Sequence, residues 1–356
     1  MIMARSELTT PPPLPETSAA AGLATAPAPA PTITPPPLAA DKSAAIATNL
    51  LTKRYGSLMA LDALSLHLNQ GDVFGFIGPN GAGKSTTMKI LAGLLSPTSG
   101  SATVLGKNVI NNGEFIRRSV GYMPDSFGVY EDLKVCEYLE FFASAYGIPR
   151  KQRRKIVQDV LELTDLKYKQ DAFVDSLSRG MQQRLGLARV LVHDPPILLL
   201  DEPASGLDPR ARIEIRELLR ELQRLGKTIM ISSHILSELG EFCNKLGIIE
   251  RGKLIISGTI DELMAMARAH PVISIRLAPQ AQHELERAIA VLKTDARVND
   301  VDVIGSELQV TLTDPRVHHF FLMEKFVSAN IPLDSVAPHQ MKLEDVFLRL
   351  TKGIVQ

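Results

Sequence analysis

The sequence predicts an α/β fold followed by a smaller α+β domain, and three stretches carry that prediction. Gly78-Pro79-Asn80-Gly81-Ala82-Gly83-Lys84-Ser85-Thr86 stands between a continuous apolar strand, Val73 to Ile77, and a helical pattern beginning near Thr87. Ile197-Leu198-Leu199-Leu200 is a second short apolar strand, ending in Asp201-Glu202 and preceded by the helix that opens at Leu177-Ser178-Arg179-Gly180-Met181. Beyond about Met266 the order becomes strand, helix, strand, strand, helix, strand, which is that of a ferredoxin-like α+β unit.

The first stretch has the spacing GxxxxGK[ST] in a strand–loop–helix context. Its glycines let the backbone bend until successive N–H groups point inward, and the following helix adds the positive end of its dipole, so the loop is suited to phosphate. Lys84 would reach the β- and γ-phosphates and Ser85 would hold Mg²⁺. Carboxylates at the carboxyl end of a buried strand complete such a site. Asp201 can hold Mg²⁺ through water, and Glu202 can accept the proton of an attacking water. Thr228-Ile229-Met230-Ile231-Ser232 is another buried strand, with Ser233-His234 at its end. His234 either donates to a γ-phosphate or caps the next helix.

Composition sets outer bounds. The chain has 356 residues, 45% hydrophobic and 22% charged, enough for two domains and a sizeable core. Thirty-nine Lys plus Arg balance 39 Asp plus Glu, so no global charge points to nucleic acid. The basic cluster Arg150 to Lys155 lacks the interleaved aromatics of a nucleic-acid platform and reads as a solvated helix face. Cys136 and Cys243, the only cysteines, lie far apart without CxxC spacing; both read as buried thiols in a reducing compartment. No run approaches the roughly 18 apolar residues that cross a bilayer, so another chain would do the crossing for any membrane function.

Along the chain, residues 1–41 are rich in Pro, Ala and Thr and read as an extended, disordered tail, with the prolines breaking any signal-peptide core. Residues 45–265 read as one domain: strands at Ile46 to Leu50 and Leu61 to Leu68, a helical region from Glu114 to about Asp171 with helices at Leu133 to Tyr146 and Lys151 to Leu163, and a hairpin through Arg251-Gly252-Lys253. Residues 270–356 read as the accessory domain, with a last helix at Leu343 to Leu350. His318-His319 occupies adjacent helix positions that do not share a face, and is not read as a metal pair.

Together these pieces resemble the ATP-binding cassette (ABC) ATPases, over Leu50 to about Leu263 and in the family's motif order. The resemblance implies a P-loop nucleotide-binding cassette with a mixed sheet and a helical subdomain at about 114–190. By it Tyr55, otherwise a packing aromatic, is the residue that stacks on adenine. Gly78 to Thr86 is the Walker A loop, Ser178, Arg179, Gly180 and Met181 lie in the signature loop, Asp201 and Glu202 are the Walker B pair, Ser205 to Asp208 is the D-loop, and His234 is the switch histidine. It further implies ATP and Mg²⁺ as ligands and a head-to-tail pair of cassettes, each phosphate loop receiving Ser178 and Gly180 from the partner.

Two motifs depart from the family pattern. Arg179 and Met181 replace a glycine and a glutamine of Leu-Ser-Gly-Gly-Gln, while the contacting serine and second glycine remain. Asp125 stands where a glutamine normally touches Mg²⁺; it is still an oxygen ligand, but shorter and charged. The carboxy-terminal segment resembles that of ATPase subunits of type-2 ABC exporters. The implied partners are a second copy and an integral membrane permease subunit at the cytoplasmic face of the cell membrane, received by the helix Leu133 to Tyr146 with the loop around Asp125, so that charge reversals across Glu131 to Tyr138 are expected to weaken its binding. A regulatory, non-transport cassette and a cassette that binds ATP with little hydrolysis are the alternatives.

Overall fold

The structure is a computed structural model that describes residues 44–126, 128, 132–268, 271–314 and 316–339. The tail at 1–41, Glu131 and the helix expected at Leu343 to Leu350 lie outside the described residues.

The chain opens with a long hairpin, β1 (Ala44–Tyr55) and β2 (Leu58–Asn69), turned at Gly56. A short buried strand, β3 (Val73–Ile77), then runs into the glycine-rich loop, and α1 (Lys84–Leu91) runs out of it. The helix therefore begins at Lys84, earlier than the expected Thr87, because Gly83 in the left-handed conformation serves as its N-cap. Next, β4 (Ser99–Val104) and β5 (Lys107–Asn108) join the hairpin in a four-stranded antiparallel sheet of order β2-β1-β4-β5.

After α2 (Gly113–Ser119) comes β6 (Val120–Met123), a strand inside the stretch expected to be wholly helical. Four residues with one glycine are too short for periodicity to reveal, and pairing with a neighbouring strand decides their state. The helical subdomain follows as α3 (Val135–Ala145) and α4 (Arg150–Leu163). Helix α5 (Arg179–Leu191) then begins under a Ser178 cap. The second half alternates β7 (Ile197–Asp201), α6 (Pro209–Arg224), β8 (Thr228–Ser233) and α7 (Leu236–Gly240), and closes with the hairpin β9 (Lys245–Glu250) and β10 (Lys253–Thr259) and with α8 (Ile260–Arg268).

Strand order in the central six-stranded sheet is β10-β9-β3-β8-β7-β6, parallel throughout except for the β9–β10 hairpin. Both faces of this sheet are covered, which is why its strands read as continuous apolar runs. Alternate residues enter two cores: Val73, Ile77, Leu198, Leu200, Ile229 and Ile231 pack with the helical subdomain. Phe74, Phe76, Ile197, Leu199 and Met230 pack with the antiparallel sheet and α1. Cys243 is buried against the first core, whereas Cys136 is only partly buried, because α3 turns it toward the edge of the helical packing.

The remaining elements are β11 (Val272–Leu277), α9 (Leu285–Lys293), β12 (Val298–Ile304), β13 (Glu307–Leu312), α10 (Phe320–Ser328) and β14 (Leu333–Pro338). They form a four-stranded antiparallel sheet of order β12-β13-β11-β14 with its own core of Ile275, Leu292, Leu308, Val310, Leu322 and Phe326. This is the ferredoxin-like arrangement that the element order predicts.

Burial on both faces makes the central strands intolerant of lost volume. Leu199→Ala is expected to lower stability by about 2–5 kcal/mol, read as a shifted urea midpoint with an unchanged slope.

Candidate functional site

Parallel register collects the functional residues on one edge. Ile77 is paired with Ser233, Asp201 with Ser232, and Met123 with Leu200, so the residues that follow these strands leave the sheet side by side. Gly78, Glu202, His234 and the Pro124-Asp125 turn are therefore neighbours at the carboxyl end of the sheet, where ligands bind in α/β folds.

The loop itself is shaped by glycine and by the hairpin docked on it. Gly83 has φ +112°, and a Cβ there would lie 2.7 Å from the Ala60 carbonyl oxygen of β2. Only glycine meets both demands, and the same contact brings the β1–β2 hairpin against the loop. Tyr55, at the end of β1, is exposed, with the Lys53 ammonium 5.2 Å from its ring centre. Pro79, Asn80 and Gly81 form the exposed rim of the loop, while Ala82 is buried. Ser85 is exposed on the first turn of α1 and Thr86 is half-buried beside it.

Lys84 is 6% exposed, and its ammonium curls back to donate to the carbonyls of Gly78 at 2.6 Å and Pro79 at 3.3 Å. The same ammonium stands 3.5 Å from Glu202 Oε1. Glu202 Oε2 lies 3.0 Å from His234 Nδ1. The carboxylate is thus held between the loop lysine and the histidine, which are far apart in the chain. Glu202 Oε1 is a buried atom with no hydrogen-bond partner, an acceptor turned into the loop side of the site. Its backbone has φ +51°, a left-handed conformation that costs a non-glycine residue roughly 1–2 kcal/mol. Such strain persists only where the surroundings hold it.

Ser232 supplies part of that hold. Its hydroxyl donates to Asp201 Oδ1 at 2.6 Å and accepts from the Glu202 backbone N–H at 2.9 Å. Periodicity alone marks Ser232 as the last residue of a buried strand and gives no sign of this role; the available signal is a hydroxyl residue in an otherwise apolar run. Tyr122 goes unmarked likewise. Burial first, and then the carboxylates of Asp201 and Asp125, hold its phenol above its usual range.

The donor set suits a Mg²⁺–phosphate ligand: a serine hydroxyl at Ser85 and carboxylates at Asp201 and Asp125 are hard oxygen ligands, and Lys84 with the α1 N-terminus supplies positive charge. The signature residues lie elsewhere. Ser178, Arg179, Gly180 and Met181 line a separate cavity of about 330 Å³ with Gly206, Leu207 and Asp208, and no residue of the glycine-rich loop lines it. Ser178 caps α5 by accepting from Met181 N–H at 3.4 Å, and Asp208 caps α6 by accepting from Ala211 N–H at 2.9 Å. The glycine-rich loop and these residues therefore line separate places on one chain.

Known proteins resemble this chain. The ABC transporter family profile matches residues 61–205. The bacitracin transport ATP-binding protein BcrA of Bacillus licheniformis is 35% identical over 312 residues, covering 87% of this chain and 98% of its own. A Nod factor export ATP-binding protein I of Paraburkholderia xenovorans is 37% identical, covering 86% of this chain and 97% of its own. Among solved structures, an ATP-binding subunit of an ABC transporter aligns with a TM-score of 0.57 at 29% identity, covering 62% of this chain and 92% of that one. A dimeric bacterial ABC transporter cassette aligns with a TM-score of 0.56 at 27% identity, covering 60% and 98%.

The Ser232 bridge is open to a direct test. Ser232→Ala leaves a buried carboxylate oxygen and a backbone N–H unpaired and is expected to lower stability by about 1–3 kcal/mol, measured by chemical denaturation.

Proposed function

The chain belongs to the ATP-binding subunits of ABC transporters, and within that family we propose that it drives an exporter, working as a head-to-tail pair beneath separate membrane subunits. Its activity is ATP hydrolysis, as the family and its phosphate-loop fold imply. The observation that carries the detailed reading is the position of Glu202 between Lys84 and His234.

In this reading Glu202 accepts the proton of the attacking water on its buried Oε1, which faces the Lys84 ammonium without a hydrogen bond. His234, already on Oε2, fixes the carboxylate and presents its ring to the γ-phosphate. Lys84 exchanges its carbonyl contacts for the β- and γ-phosphates. Backbone N–H groups between Asn80 and Thr86 cradle the phosphates, and Tyr55, on the hairpin docked against that loop, stacks on adenine. Ser85, Asp201 and Asp125 would hold Mg²⁺, which neutralises phosphate charge in the transition state.

The pairing follows from the two half-sites. Ser178 and Gly180 sit at the amino end of α5, where the helix dipole favours an anion, yet they share no cavity with their own phosphate loop. A second copy brings its signature loop to that anion, so ATP would hold the pair together and hydrolysis release it. Export is supported by the relatives: proteins named for bacitracin transport and for Nod factor export are matched across nearly their whole length, accessory domain included. Among the described residues no helix is long and apolar enough to cross a membrane, and the proposal assigns the crossing to a permease partner at the cytoplasmic face. Helix α3, which exposes Phe141, is the proposed receiver of that partner together with the Asp125 turn.

Glu202→Gln keeps the shape and the His234 contact but removes the base. Its expected phenotype is an ATP-dependent dimer, seen as a doubled mass by light scattering, with turnover reduced at least about 100-fold. A mutant that hydrolyses at the wild-type rate, or never dimerises while the wild type does, would sink the assignment.

A further inference from the structure

We infer that Arg179 is a positioning residue: its guanidinium latches the signature loop to the D-loop of the same chain and so ties one half-site to the orientation of Glu202 in the other. This rests on the ATPase reading above.

Three contacts join these loops. On the first turn of α5, Gly180 faces α6 so closely that a Cβ there would lie 3.1 Å from the Ala211 Cβ. One turn further along the same face, Arg184, only 10% exposed, meets Glu214 Oε2 of α6 at 3.6 Å and Asp165 Oδ2 at 3.0 Å. Residues 180 and 184 on α5, and 211 and 214 on α6, share helical faces, so the two helices are joined side by side near their amino ends. The third contact reaches past the helices. The Arg179 guanidinium covers the open side of Gly206: a Cβ there would lie 2.5 Å from both Cζ and Nη2, and 2.7 Å from Nη1. Gly206 also has φ +67°, so glycine is required twice, by its backbone and by the guanidinium seated on it.

Gly206 is connected to the catalytic carboxylate by a tight turn. The Ser205 N–H donates to the Glu202 carbonyl at 3.0 Å, and the Leu207 N–H donates to that of Ala204 at 3.4 Å. Glu202 sits in a strained left-handed conformation at the start of this turn, so a displacement at Gly206 is delivered to a residue held only by its neighbours. The chain of contact runs from the signature loop through Arg179 and Gly206 to Glu202. A glycine at position 179 has no side chain with which to make this connection. A lysine would bring charge but no plane to lie on the peptide.

The test uses the full-length chain with two readouts. Hydrogen exchange of the peptide spanning 203–208, measured without nucleotide, is expected to accelerate roughly fivefold in Arg179→Gly and in Arg179→Lys, with the peptide spanning 78–86 unchanged. Steady-state ATP turnover is expected to show kcat lowered by a similar factor while KM stays within about twofold. Gly206→Ala puts a methyl in the guanidinium's seat and adds its own backbone strain, so it should loosen the turn at least as much as Arg179→Gly, with the double variant no worse than Gly206→Ala alone. Thermal melting accompanies each variant, and Arg179→Lys, which keeps the charge, guards against a folding artefact. Unaltered exchange at 203–208 in Arg179→Gly overturns the latch whatever the enzyme does. Faster exchange with wild-type kcat, or additive effects in the double variant, overturns its connection to Glu202. A wild type without turnover counts instead against the ATPase reading, and exchange then decides the latch alone.

Discussion

Parallel hydrogen bonding between β3, β8 and β7 is the constraint on which the rest of this molecule depends. Each of these strands is apolar along its length because each is buried on both faces, and alternate side chains serve two different cores. A slip of one residue in any pair would exchange the two sets, so the register is tightly specified. Once Ile77 is opposite Ser233 and Asp201 opposite Ser232, the loops that leave those strands cannot avoid one another. The lysine, the glutamate and the histidine meet because the hydrophobic cores permit only this alignment.

What they form is a small polar network at the boundary of a dry interior. Ser232 ties the Asp201 carboxylate to the Glu202 backbone, Lys84 is folded onto its own loop, and Glu202 bridges to His234. Within it, Glu202 occupies a conformation that its own side chain disfavours, and one of its oxygens has no hydrogen-bond partner. Such backbone strain is a cost that a purely structural position would not retain, and it is consistent with a functional group.

The second half-site obeys a different logic. Helices α5 and α6 start close together, each capped by a short side chain, and are joined by Gly180 against Ala211 and by the buried Arg184. This makes the signature loop and the D-loop one unit even though they serve different nucleotides in the proposed pair. An arginine in place of the family's usual glycine extends that unit to the turn carrying Glu202, and it explains why Arg179 need not weaken the cassette: its side chain has a seat on Gly206. The accessory domain keeps a core of its own, and nothing in the phosphate chemistry draws on it.

Much of this was legible from residue order. The glycine-rich loop, the carboxylates after Leu200, the serine opening a helix at 178 and the ferredoxin-like order of the last six elements are local patterns, because loop geometry, capping and strand periodicity act over a few residues. Strand β6 escaped because four residues carry no usable period, and α1 began early because a glycine cap leaves no polar side-chain signal. Ser232 and the seat of Arg179 on Gly206 escaped for a deeper reason: their partners are about 30 residues away, and only closure of the sheet and the docking of α5 on α6 bring them into reach. The sequence by itself determined which chemical groups the protein has and the local shapes that present them. Tertiary structure alone decided which of those groups touch, since contact between distant residues is set by the register of buried strands and the packing of helices on them.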